Sequence, residues 1–235
     1  MKISAVTRRG AGKTASDDRI LIGSRVLCEE EFSAEFPSLC PIGIADGVGG
    51  NAGGDIAAHF VCERLSDCAP EPDAVTAVND SLIALSRKTT GKEKMASTFS
   101  GVFPVTEGAA RLLHIGNTRV YAIQGGYLKQ LTADMTAYNY FMSLGRTEDA
   151  EKCSRSEITA CFGGGTISLF KPRFTELQPC PVLITSDGVH DFVDIDALEQ
   201  IISTAESDIE ACHGIISASL KRGSEDDISV LIARI

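Results

Sequence analysis

No two of the eight cysteines in this 235-residue chain form a Cys-x-x-Cys pair. Their scatter argues against both a disulfide framework and a zinc site, so reduced, mostly buried thiols are expected. No apolar stretch is long enough to cross a bilayer, so no membrane segment is expected. Met1-Lys2-Ile3-Ser4 runs straight into strand-like sequence, without the charged and apolar regions of a secretory leader, and a cytoplasmic protein is expected. Positive charge is scarce. The 22 Lys and Arg face 32 Asp and Glu, a formal net charge of -10. A chain of that sign does not grip nucleic acid through its whole surface. Internal repeats and low-complexity tracts are missing too.

What is present is ordinary globular composition, 43% hydrophobic and 23% charged, with length for one sizeable core. Strand-like runs occur at 19–23, 97–103, 110–115, 118–123 and 127–131. Gly116-Asn117 reads as a hairpin-like turn, and strands joined by short turns pair antiparallel. Helical spacing is seen for Ile56, Phe60, Val61 and Leu65, and again over 73–87 with Asp73 as its N-cap. A later pair of helical stripes runs through Ile195, Leu198, Ile201 and Ile202, then Ile209, Cys212, Ile216 and Leu220, with Gly223 as C-cap. These elements predict an α+β fold, a four-layer α-β-β-α sandwich. Two antiparallel sheets face each other with a helix pair on each outer face. One domain over 1–235 is expected. Residues 133–179, with Gly145, Gly163, Gly164 and Gly165, read as a surface flap beside the site.

Acidic residues stand at the tips of apolar runs. Ile42-Gly43-Ile44-Ala45 ends in Asp46-Gly47, Val182-Leu183-Ile184-Thr185 ends in Ser186-Asp187-Gly188, and Asp226-Asp227 opens onto Ile228-Ser229-Val230. Asp17-Asp18 precedes Arg19-Ile20-Leu21-Ile22. A carboxylate at the tip of a buried strand is costly unless a cation meets it, and hard divalent ions suit converging aspartates. Taken singly, each motif also reads as a plain turn or helix cap, as Asp191 and Asp194 do behind Asp187.

In their order along the chain, these segments resemble the metal-dependent protein phosphatases, the protein phosphatase 2C-like serine/threonine phosphatases, in their short bacterial form. Asp17-Asp18-Arg19 matches an acidic pair before a strand, and Asp46-Gly47-Val48-Gly49-Gly50 matches Asp-Gly-x-Gly-Gly. Ala96-Ser97-Thr98 sits where Gly-Thr-Thr is usual, and Gly116-Asn117-Thr118-Arg119 resembles Gly-Asp-Ser-Arg. Gln130-Leu131-Thr132-Ala133-Asp134 resembles the segment before the flap. Ser186-Asp187-Gly188 and Asp226-Asp227-Ile228-Ser229 resemble the last two metal motifs, Ser-Asp-Gly and Asp-Asn-Ile-Thr.

The resemblance implies hydrolysis of phosphoserine and phosphothreonine in proteins by a hydroxide bridging two divalent ions, manganese or magnesium. By motif, Asp46 bridges both ions, the Gly47 carbonyl binds one, Asp187 and Asp226 bind the other, and Asp18 with Asp17 holds metal-bound water. Lys13 stands where many members carry an Arg that contacts the substrate phosphate, a point charge in place of a bidentate fork. Val48 replaces a His proposed as general acid in some members, and His190 is expected to be structural. Asn117 replaces the Asp that, with the residue matched by Asp191, holds a third metal, so that metal is expected to be weak or absent. Partners implied by resemblance are phosphorylated proteins and a cognate serine/threonine kinase. Two rivals stand beside this reading. One is a pseudophosphatase that binds phosphoproteins without turnover. The other is a nucleotide-binding protein, suggested by Gly12-Lys13-Thr14, although Thr7 occupies the position where a P-loop needs Gly.

Overall fold

The computed structural model describes residues 1–48, 52–106, 108–164 and 169–235. The chain runs through β1 (Lys2–Arg8), β2 (Arg19–Ile22), β3 (Arg25–Leu27), β4 (Glu31–Glu35) and β5 (Ile42–Ala45). Helices α1 (Gly54–Ser66) and α2 (Pro72–Lys88) follow. Next come β6 (Ala96–Ser97), β7 (Phe99–Thr106), β8 (Ala109–Ile115), β9 (Arg119–Gln124) and β10 (Tyr127–Gln130). Short helices α3 (Ala137–Ser143) and α4 (Thr147–Ala150) precede β11 (Phe162–Gly163), β12 (Arg173–Leu177) and β13 (Val182–Thr185). Last in order are α5 (Asp187–His190), α6 (Ile195–Thr204), α7 (Asp208–Lys221) and β14 (Ile228–Arg234).

One six-stranded sheet has the order β10-β9-β13-β14-β1-β4, and the other β12-β8-β7-β5-β2-β3. All their pairings are antiparallel. The central strands are apolar on both faces because both faces are covered. Ile20 and Ile22 pack between the sheets with Ile42, Ile44, Val182, Ile184 and Leu231. Leu21 turns the other way, into the layer under α1 and α2 with Val61, Leu65 and Leu82. Leu183, Val230 and Ile232 face Leu198, Cys212, Ile215 and Ile216 on α6 and α7. Three apolar layers therefore separate four layers of secondary structure, the α-β-β-α order the sequence predicts. Each fully buried Leu, Ile or Val contributes about 1.5–3 kcal/mol, so the strand tips are held by a stiff frame. Cys62 and Cys212 are free thiols in the helix–sheet layers, and burial pushes the Cys212 thiol up to about 12. Among the described residues no helix is long and apolar enough to cross a membrane.

Two local expectations are corrected. Gly116-Asn117 is not a hairpin turn: β8 pairs with β7 and β12 in one sheet, and β9 pairs with β10 and β13 in the other. The segment carries the chain across the sandwich. Asp73 is not the N-cap of α2. Glu71 holds that place with extended backbone, Pro72 opens the helix, and Asp73 lies in the first turn, where a carboxylate still meets the positive helix end. Gly223, with φ of 91°, follows the Arg222 cap of α7 in the left-handed conformation expected of it. Within 133–179, residues 173–177 form the edge strand β12 against β8.

Candidate metal centre

Antiparallel pairing brings the acidic tips together. Arg19 pairs with Ala45, so Asp18, just before β2, and Asp46, just after β5, lie at the same end of one sheet. Thr185 pairs with Val230, which sets Asp187 beside the Asp226-Asp227 pair in the other sheet. The crossing at Gly116–Thr118 runs past this end and supplies Asn117, whose Nδ2 donates to Asp187 Oδ2 at 3.0 Å.

Each tip is fixed through its backbone. Thr98 N–H donates to the Asp46 carbonyl at 2.8 Å, Asp46 N–H donates to Thr98 Oγ1 at 3.2 Å, and Ser97 Oγ donates to the same carbonyl at 3.1 Å. The Ala96-Ser97-Thr98 motif is thus the clamp for Asp46. Thr98 Oγ1 is in turn 2.8 Å from Thr118 Oγ1, which ties the clamp to the crossing. Gly47 N–H donates to the Asp17 carbonyl at 3.3 Å. A Cβ at Gly47 would lie 2.5 Å from the Gly54 backbone at the start of α1, and one at Gly188 would lie 2.1 Å from the Asp227 carbonyl oxygen. Glycine at both places lets backbone pass where no side chain fits.

The electrostatics describe a site that holds more negative charge than it can keep in water-poor surroundings. Asp18 is 1% exposed, and neither carboxyl oxygen has a hydrogen-bond partner among the described residues. Burial, with the charges of Asp227 and Asp187, pushes its carboxyl up to about 8, against the pull of the nearby Ser229 and Ser186 hydroxyls. Burial raises Asp46 well above the carboxylate range, reinforced by Asp187, Asp18 and Asp226. Burial and Asp226 raise Asp187, against the donation from Asn117. Burial also raises Asp17, against Lys13. The same cause, with Asp187, pushes Asp191 up to about 6. Asn117 Oδ1 is a further buried oxygen without a partner among the described residues.

Lys13 meets three of the carboxylates. Its Nζ lies 2.7 Å from Asp226 Oδ1, 2.8 Å from Asp227 Oδ2 and 3.9 Å from Asp17 Oδ2, so it is a counter-ion of the acidic tips in this arrangement. Burial alone would lower the ammonium's pKa, but hydrogen bonds to Asp226 and Asp227 outweigh it and hold it above the ordinary lysine range. Asp227 was not assigned a function in the sequence. Its buried carboxylate accepts from Gly10 N–H at 2.7 Å and from Asp17 N–H at 2.7 Å, and so pins the 10–17 loop to the start of β14. The acid where the family pattern has Asn was the available signal. His190 is buried with Nδ1 2.9 Å from Thr185 Oγ1, and burial holds its pKa well below normal, consistent with a neutral structural residue. Val48 N–H donates to the Ala96 carbonyl at 3.0 Å. Gly49, Gly50 and Asn51 of the first motif, and Gly165 of the flap, lie outside the described residues.

The donor set fits a hard divalent cation. It is oxygen-rich, it includes orphaned buried oxygens on Asp18, and its carboxylates suppress one another's ionisation. Among the described residues, no group of three or more His, Cys, Asp or Glu is arranged to hold a metal as it stands. Asp226 is engaged by Lys13, and one oxygen of Asp187 by Asn117.

No protein-family model matches the chain. The serine/threonine protein phosphatase PstP of Mycobacterium tuberculosis is 25% identical over 246 residues, covering 99% of this chain. This chain spans 45% of that relative's length. The serine/threonine phosphatase stp of Listeria monocytogenes is 24% identical over 209 residues, covering 80% of this chain and 82% of the relative. A crystal structure of the catalytic domain of PstP in complex with two manganese ions superposes with a TM-score of 0.77 at 23% identity, covering 100% of this chain and 99% of that one. The sandwich is shared with the PstP catalytic domain, and in sequence the chain is similar to these bacterial serine/threonine phosphatases along most of its length.

Proposed function

We propose that the chain removes phosphate from phosphoserine and phosphothreonine in proteins, with two divalent cations, manganese or magnesium, at the acidic end of the sandwich. The observation that carries this reading is Asp18: a buried carboxylate with two orphaned oxygens, packed among other aspartates, is costly until a cation meets it. Asp46 and the Gly47 carbonyl would hold one cation and share Asp46 with a second, held by Asp187 and Asp226, with Asp18 and Asp17 around them. The chemistry such a pair would supply is a hydroxide nucleophile at neutral pH, by lowering the pKa of water.

The chain's own residues do the rest. Thr98 and Ser97 hold the Asp46 backbone, so the shared carboxylate does not drift as charge develops. Asn117 donates to Asp187 Oδ2 and so holds the carboxyl that also meets Asp46. Lys13 and the arginines Arg8 and Arg9 line a cavity of about 340 Å³, with Glu29 in the same wall 3.7 Å from Arg9, and Lys13 links it to the acidic tips, so it offers cationic groups to a phosphoryl group. The whole of 1–235 would act as one phosphatase unit, with 133–179 as its flap. Phosphorylated proteins and a cognate serine/threonine kinase, in the cytoplasm, are the partners this reading implies.

One observation favours a second reading. Lys13 already neutralises part of the acidic cluster, as a pseudophosphatase would allow. The two readings separate in one assay: hydrolysis of p-nitrophenyl phosphate and of a phosphothreonine peptide with MnCl2, with and without chelator. Turnover that needs manganese and disappears in Asp46→Asn supports the enzyme. A folded wild type without metal-dependent turnover refutes it.

A further inference from the structure

We propose that Lys13 is a tethered counter-ion that occupies Asp226 until a divalent cation takes that carboxylate, so the Asp187–Asp226 position fills against an internal competitor. The inference rests on the two-cation reading above and names the residue that sets the order of loading.

The two carboxylates that meet Lys13 are unequal. Asp227 is 2% exposed and already fixed, since it accepts from the Gly10 and Asp17 N–H groups as well as from Lys13. Asp226 has half its side chain in solvent and makes no other side-chain contact with a cation among the described residues. Its Oδ1 also accepts from the N–H of Asp227, a local bond that orients it without burying it. Asp227 is therefore the anchor, and Asp226 is the partner that can be surrendered. Where the family pattern has Asn, Asp227 adds the negative charge that draws the ammonium in.

The tether is short. Lys13 sits in the loop between β1 and β2, and Asp227 clamps that loop at Gly10 and at Asp17. When Asp226 is lost the ammonium keeps Asp227 and has Asp17 within 3.9 Å, so it is displaced without leaving the site. A cation arriving at Asp18 and Asp46 meets no such competitor, because among the described residues no lysine or arginine pairs with either carboxylate and the Asp18 oxygens have only serine hydroxyls near them. The two positions should therefore differ in affinity, with the Asp226 side the weaker. Its occupancy releases the lysine amine from Asp226, while Asp227 keeps it beside the cavity that Lys13 lines, and leaves it with one carboxylate contact fewer.

The test uses the full chain and two measurements. Manganese binding is followed by calorimetry and by loss of the free Mn2+ electron-spin signal, for wild type, Lys13→Met and Arg8→Met. Arg8 lines the same cavity and makes no ion pair among the described residues, so it controls for simple loss of charge. The weaker site is expected to tighten about threefold to tenfold in Lys13→Met and to stay within twofold in Arg8→Met. Independently, wild type is reductively methylated with and without MnCl2, and Lys13 modification is read by peptide mass spectrometry. Higher labelling of Lys13 in manganese supports the proposal even if Lys13→Met misfolds. Equal labelling, or equal tightening in both variants, overturns it while leaving the two-cation reading intact. Absence of manganese binding in wild type and Lys13→Met removes that reading, and this inference with it.

Discussion

Asp18→Asn should make the metal-free protein more stable and the metal-loaded protein less so. In the unfolded chain Asp18 titrates near its ordinary 3.8, and in the fold its carboxyl is pushed up to about 8. Between those values the folded state holds a proton that the unfolded state has lost. Stability therefore falls as pH rises from about 4 to about 8, and is level above that. At 1.36 kcal/mol per pH unit the full penalty is about 6 kcal/mol. Asp187 and Asp227 supply part of the push, so the titrations are linked and one substitution recovers a share, about 2–3 kcal/mol. For a chain of this length that is about 5–10 °C in Tm. The assay is thermal unfolding by circular dichroism in chelator at pH 4.5 and pH 8.5, repeated at pH 8.5 in MnCl2. The variant should match wild type at the lower pH, exceed it at the higher pH in chelator, and gain less from manganese. A variant no more stable than wild type at pH 8.5 in chelator would refute the claim that Asp18 is buried against its own charge.

Three further outcomes follow from particular contacts. Gly188→Ala places a Cβ 2.1 Å from the Asp227 carbonyl oxygen and should cost roughly 1–3 kcal/mol in urea unfolding. Asn117→Asp removes a donor 3.0 Å from Asp187 and adds a like charge; it should lower Tm in chelator, add a weak manganese site by calorimetry and raise turnover. An unchanged titration and unchanged turnover would show that the amide at 117 is not what weakens a third site. Asp46→Asn should keep its far-ultraviolet circular dichroism spectrum and lose all metal-dependent hydrolysis of p-nitrophenyl phosphate.

The layered fold was legible because its central strands are uninterrupted apolar runs and its helices carry a clear 3.6-residue period. Ile20-Leu21-Ile22 and Val182-Leu183-Ile184 read as strands buried on both faces, and they split between two cores. The Gly116-Asn117 junction misled because a short Gly-Asn link has the local chemistry of a tight turn, while the choice of sheet is made by partners far away in the chain. Strand β12, with its Arg-Phe-Thr-Glu-Leu sequence, lies at a sheet edge and is mostly wet, so it carries little of a buried strand's signature. Asp18, Asp46, Asp187 and Asp226 could be picked out from the sequence because an acid at the tip of an apolar run is unusual. The grip of Lys13 could not. Its partner Asp226 is 213 residues away, and nothing local to Gly12-Lys13-Thr14 separates a phosphate ligand from a counter-ion.

The central claim is tested most directly by diffraction from crystals of the full chain grown with MnCl2, with data collected at the manganese absorption edge. The account predicts two anomalous peaks at the end of the sandwich, both within ligand distance of Asp46, one also met by Asp187 and Asp226. No peak among Asp18, Asp46, Asp187 and Asp226, in crystals of an otherwise unchanged fold, would contradict it.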